Sequence, residues 1–80
     1  MQIEILAFGI AKDIIHGSSL ALEVEKGTTV AGLKEELCRR FPGFDRLASL
    51  RVAVNGEYAA EGLSLQESDE IVLIPPVSGG

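Results

Sequence analysis

The chemistry open to this chain is concentrated in Gly79 and Gly80, where the sequence ends in a backbone carboxylate. A terminal carboxylate can be activated by adenylation and then exchanged for sulfur or an amine, an acyl transfer that needs an unhindered carbonyl. Glycine has no Cβ, so an active site can close around both faces of the Gly80 carboxylate. Just ahead, Pro75 and Pro76 cannot donate to a strand ladder and stiffen an extended exit. Val77 and Ser78 complete a slim segment that could thread a narrow channel in another protein. Glycine endings also arise without purpose: at about 7% average usage, Gly-Gly closes about one chain in two hundred by chance. The tail alone therefore does not establish the chemistry.

The remaining reactive side chains read more plainly. Cys38 invites comparison with sulfur-transfer nucleophiles, but it stands beside Leu37 at the edge of an apolar helical stripe, where a half-buried small residue is expected. His16 is the single histidine and lies in a glycine-rich stretch with no cysteine or carboxylate at ligand spacing, so a solvent-exposed position and no metal site are expected. Ser18, Ser19 and Ser64 lack a nearby general base, so no catalytic triad is expected. The acidic residues Glu35, Glu36 and 67–70 read as solvated faces that could also steer association with a basic partner.

Eighty residues bound the chain to one domain, since a chain of this size buries only about 60% of its unfolded surface. The composition, 46% hydrophobic and 24% charged, suits a packed core. Seven basic against twelve acidic side chains give a net charge of -5, which repels nucleic-acid phosphates. Without a glycine-rich phosphate loop or a Walker-type lysine, the chain is expected to bind no cofactor, and any ATP must be held by a partner. One cysteine permits no internal disulfide, and Met1-Gln2-Ile3-Glu4 lacks the basic and apolar regions of a signal peptide. No stretch approaches a membrane span. A cytoplasmic protein is expected.

The elements that must carry the tail follow from periodicity. Residues 2–8 alternate, with Ile3, Ile5 and Ala7 on one side and Gln2, Glu4, Leu6 and Phe8 on the other, and predict a strand. Glycines interrupt residues 9–19, where residues 10–15 can form a helical turn. Leu20, Leu22 and Val24 then alternate with Ala21, Glu23 and Glu25 as a second strand, paired with the first as a hairpin. After the Lys26-Gly27 turn, Thr28 or Thr29 can cap a helix with Val30, Leu33, Leu37 and Phe41 along one face. That helix should stop at Phe41, before Pro42-Gly43, with Glu35, Glu36 and Arg39 outward and the basic Arg39 and Arg40 in its last turn. Leu50, Val52 and Val54 form a third strand that turns at Asn55-Gly56 into Glu57-Tyr58. A loop rich in Glu, Gly and Ser leads to Ile71-Val72-Leu73-Ile74, a last strand apolar on both faces.

One amphipathic helix with about four to five strands gives an α+β fold, a β-grasp in which the helix lies across a mixed sheet. The first and last strands sit side by side at the centre, as a right-handed crossover permits. Residues 1–74 form this domain, and residues 75–80 form a flexible C-terminal tail.

This pattern and the ending Pro75-Pro76-Val77-Ser78-Gly79-Gly80 resemble the small subunit of molybdopterin synthase, the MoaD-type, ubiquitin-like sulfur carriers. The resemblance covers the whole chain and includes the first strand running into Phe8, Lys12-Asp13 in the following loop, Val54-Asn55 and Asp69-Glu70. It implies that an ATP-dependent activating enzyme adenylates Gly80 and that sulfur replaces AMP to leave a thiocarboxylate. It also implies a large synthase subunit that receives the tail, a heterotetrameric assembly, and sulfur delivery to the pterin precursor of the molybdenum or tungsten cofactor. Lys12 stands where relatives commonly carry arginine, so the planar fork of a bidentate contact is missing there.

A carrier needs an exposed apolar patch near its tail. Leu6 and Phe8 on the first strand and Val72 and Ile74 on the last share the face opposite Ile3 and Ile5. Tyr58 could join them as an aromatic with a polar tip. By resemblance, Phe8, Tyr58 and Ile74 align with partner-facing positions, together with the tail residues Pro75, Pro76, Val77 and Ser78. Two other functions fit the tail or the fold: a thiamin-type sulfur carrier or ubiquitin-like modifier, and a β-grasp interaction module that never uses its C-terminus. The two prolines argue against the thiamin type.

Overall fold

The alternation of residues 2–7 folds as read, into β1 (Gln2–Ala7), with Ile3, Ile5 and Ala7 buried. A computed structural model describes residues 1–46 and 50–75. After β1 come α1 (Ile10–Ile15), β2 (Ser19–Glu23), α2 (Val30–Arg40), a 3₁₀ turn (Pro42–Arg46), β3 (Arg51–Val54), β4 (Glu57–Tyr58) and β5 (Ile71–Ile74). The strands make one five-stranded sheet in the order β2-β1-β5-β3-β4. Its centre is the parallel pair β1 and β5, in the register Ile5↔Ile71, Leu6↔Val72 and Ala7↔Leu73. The antiparallel strands β2 and β3 flank that pair, and β4 closes the far edge. This is the β-grasp, with one main helix against a mixed sheet.

The core lies between α2 and the inner face of the sheet. Val30, Leu33 and Leu37 from the helix share one buried cluster with Ile3, Ile5, Leu22, Val52, Ile71 and Leu73. The helix begins where Thr29, in extended geometry, accepts a hydrogen bond from Gly32 N at 3.2 Å. Thr28 instead donates its hydroxyl to Glu25 O at 2.6 Å and holds the preceding turn. The two donors before Gly32 are met by the long loop: Val30 N donates to Leu63 O at 3.0 Å and Ala31 N to Glu61 O at 2.9 Å. The first-turn donors that a helix leaves unmet are thus satisfied from outside it. The same loop buries Leu65, whose amide donates to Thr28 O at 2.8 Å.

Two details differ from the sequence reading, and a third resolves it. Pro42-Gly43 stops α2, but the chain then forms a 3₁₀ turn that drives Phe44 into the core, edge-on to Phe41 at 6.2 Å between ring centroids. The helical turn expected over residues 10–15 forms as α1, so Lys12 and Asp13 lie on a short helix within the segment between the first two strands. Glu36 is drawn in between Arg39 and Arg40 and is 19% exposed, because both guanidinium groups pair with its carboxylate. These pairs, led by the hydrogen bond from Arg40, hold the Glu36 carboxyl below its ordinary range.

Candidate functional site: the outer face of the sheet

With one face of the sheet filled by the core, period-two geometry sends the intervening residues of every strand to the other. On β1 and β5 these are Leu6, Val72 and Ile74, with Leu6 and Val72 directly paired. On β3 they are Arg51 and Ala53, opposite Ile74 and Val72 respectively, and on β4 Tyr58 lies opposite Ala53. Leu6, Val72, Ala53 and Tyr58 therefore form a continuous row across four strands. Ala53 is 7% exposed, a small side chain enclosed by larger register partners.

Phe8 follows β1 directly and is 59% exposed, and Tyr58 is 62% exposed. Exposing two aromatic rings to water is unfavourable, and their placement on one face marks it for contact with another molecule. Ile74 and Pro75 are partly buried at the end of β5. Because β1 and β5 run parallel, both chains leave the sheet on the same side. A Cβ built on Gly9 would stand 3.4 Å from Pro75 Cγ, so the start of the exit passes close to Gly9. Gly9 adopts φ 58° and ψ -135°, a region that side-chain-bearing residues avoid. The glycine lets the chain turn from Phe8 into α1 without displacing Pro75.

Phe8, Tyr58, Ile74 and Pro75 are thus brought to one face and one edge. Pro76, Val77, Ser78, Gly79 and Gly80 lie outside the described residues. Two residues near the face were not singled out from the sequence. Ile10, the first residue of α1 and two positions after Phe8, is 50% exposed. The Arg51 guanidinium carbon lies 4.7 Å from the centroid of the Tyr58 ring, a cation–π stack. The signal for Arg51 was its alternation with Val52, which puts it on the side of Ala53.

A polar clasp fixes the turn that presents Tyr58. Asn55 Nδ2 donates to Asp69 Oδ1 at 3.0 Å, and Asn55 Oδ1 accepts from Glu70 N at 2.9 Å. Asp69 Oδ2 in turn accepts from Gln66 N at 2.8 Å. Asn55 and Gly56 both hold positive φ, 54° and 87°, as the tight hairpin requires. The residues Val54-Asn55 and Asp69-Glu70 therefore join the β3–β4 turn to the entry of β5, the strand that leads to the tail.

The other reactive side chains sit as expected. Cys38 is partly buried against the core, and His16 is exposed at the left-handed end of α1. Among the described residues, no group of three or more His, Cys, Asp or Glu side chains is placed to hold a metal ion. None of their helices is long and apolar enough to cross a membrane.

Comparison with known proteins places this arrangement. The chain is 36% identical over 83 residues to a molybdopterin synthase sulfur carrier subunit of Homo sapiens, covering 99% of this chain and 94% of that protein. It is 33% identical over 81 residues to the sulfur carrier subunit of Arabidopsis thaliana, covering 100% and 84%. The fold matches the crystal structure of SAMP1, a small archaeal modifier protein from Haloferax volcanii, with a TM-score of 0.83, 27% identity and full coverage of both chains. The family model described as "ThiS family" matches residues 5–80. With a match that runs from the middle of β1 through the Gly-Gly ending, the chain belongs to the ThiS family.

Proposed function

We propose that this chain is the sulfur-carrier small subunit of a molybdopterin synthase and that the Gly80 carboxylate carries the sulfur. The observation that carries the reading is a juxtaposition: the exposed apolar face made by Leu6, Phe8, Tyr58 and Val72 adjoins the point where Ile74 and Pro75 lead out of the sheet. A partner that grips this face has the tail delivered beside it, without needing affinity for the tail itself. The sulfur carrier subunits that the chain resembles along its length supply the identity of the cargo.

In this reading the carboxylate attacks the α-phosphate of ATP on an activating enzyme, expelling pyrophosphate and forming an acyl adenylate. A sulfide-level nucleophile then displaces AMP and leaves a thiocarboxylate at Gly80. On the large synthase subunit the sulfur passes to the pterin precursor, and water restores the Gly80 carboxylate. The chain contributes the reactive group and the docking face, while its partners bind ATP and pterin and catalyse each step. ATP belongs to the activating partner, and the setting is cytoplasmic.

Deletion of Gly79 and Gly80 tests the assignment. The shortened chain should fold, bind the large subunit through the upstream face, and transfer no sulfur. Full activity of the shortened chain would refute the role of Gly80. A second reading, a ubiquitin-like modifier joined to lysines, is favoured by the fold match to the Haloferax volcanii protein. Lysine conjugates on immunoblots that disappear with the same deletion would support it.

A further inference from the structure

Arg51 is the one cationic side chain among the described residues that strand register assigns to the outer sheet face, which also carries Tyr58 beside it and the acids Glu4 and Glu23 toward β2. Its side chain is exposed and makes no ion pair among the described residues. The guanidinium is nevertheless positioned, 4.7 Å from the Tyr58 ring centroid. With its central carbon over the ring, the guanidinium keeps N–H donors, of which it has five, for an acceptor. Beside it opens a notch of about 410 Å³, into which Arg51, Tyr58, Lys34 and Glu61 face. Lys34 and Glu61 neutralise each other at 2.7 Å, so the notch keeps the charge of Arg51. A positive notch on a chain of net charge -5 selects an acidic group.

We propose that Arg51 is a recognition residue of the docking face, pairing bidentately with a carboxylate that the large synthase subunit presents at the edge of its own apolar surface. This rests on the sulfur-carrier reading above. Tyr58 holds the guanidinium in place before docking, so less side-chain freedom is lost on binding. An apolar surround excludes water and strengthens the charged pair. At the opposite end of the face Glu23 is paired with the Met1 ammonium at 3.0 Å, and Glu4 is left without an ion pair among the described residues, so a partner acid is attracted to the β3 end and repelled by Glu4. That asymmetry sets the orientation in which the tail arrives.

Calorimetric titration of the full-length chain with the large subunit, at low and high salt, tests the proposal. Arg51→Gln should weaken binding by about tenfold or more and flatten its salt dependence. Arg51→Lys should recover only part of the loss, because an ammonium keeps the charge without the planar fork. Tyr58→Ala combined with Arg51→Gln should lose less than the sum of the single effects, because the two side chains act as a unit. Wild-type affinity and salt dependence in Arg51→Gln would overturn the proposal, as would wild-type affinity in Arg51→Lys or strict additivity with Tyr58→Ala. Failure of the wild-type chain to bind the large subunit would instead overturn the sulfur-carrier reading, and this inference with it.

Discussion

Replacing Asn55 by Asp changes one atom of the clasp and reverses its sign. Asn55 Nδ2, which donates to Asp69 Oδ1 at 3.0 Å, becomes a carboxylate oxygen facing another, while the acceptor for Glu70 N is retained. The positive φ of residue 55 remains accessible to Asp. Like charges about 3 Å apart in near-aqueous surroundings repel by about 1.4 kcal/mol, and the lost donor removes about 1 kcal/mol more, so the variant should lose about 2–3 kcal/mol at pH 7. With a urea m-value of about 1 kcal/mol/M for so small a domain, the unfolding midpoint should fall by about 2–3 M. The pH dependence follows from linkage. Repulsion between the introduced carboxylate and Asp69 raises the folded-state pKa of the pair above its unfolded value, so the penalty is complete above the folded pKa. It vanishes below the unfolded pKa, where a shared proton restores the hydrogen bond. Urea titrations of wild type and variant at pH 7 and about pH 3 should therefore show a gap that closes in acid. A gap of equal size at both pH values, or none at pH 7, would refute the clasp.

Phe44→Ala should cost about 3–5 kcal/mol, a large share of the stability of so small a domain, measured by chemical denaturation. Phe8→Ala should change stability by less than about 0.5 kcal/mol, since the ring is exposed, yet weaken binding to the large subunit by about tenfold. The ion pairs of Glu36 are present at neutral pH, and its folded-state pKa is lowered. The stability difference between wild type and Glu36→Gln should therefore be present above the unfolded-state pKa and disappear as pH falls through the lowered folded value, as thermal melts across acid pH would record.

Most of the scaffold was legible because its signals are local. Alternation in residues 2–7, the apolar spacing Val30, Leu33, Leu37 and Phe41, and the Asn55-Gly56 turn each depend on neighbours along the chain. The outer face was legible as well, since two strands with known alternation fix which residues share a side. Phe44 was hidden because Pro42-Gly43 reads as a stop, and one aromatic residue in an irregular segment has no period to reveal it. Leu65 and the carbonyls of Glu61 and Leu63 act on α2 across about thirty residues of sequence, and only the tertiary fold brings them to its first turn. Arg51 alternated visibly, but its stack on Tyr58 depends on side-chain geometry across the β3–β4 pair. In each case the contact that fixes the residue's role lies in the tertiary packing and not in the period of its own segment.

Sulfur carriage at Gly80 exchanges one oxygen atom of the chain for sulfur, a change that intact-mass spectrometry reads. The chain, incubated with ATP, its cognate activating enzyme and a sulfur source, should gain the mass of one oxygen replaced by sulfur, with fragmentation placing the change at Gly80. An unchanged mass under conditions in which the activating enzyme consumes ATP with this chain, or a sulfur placed at Cys38, would contradict it.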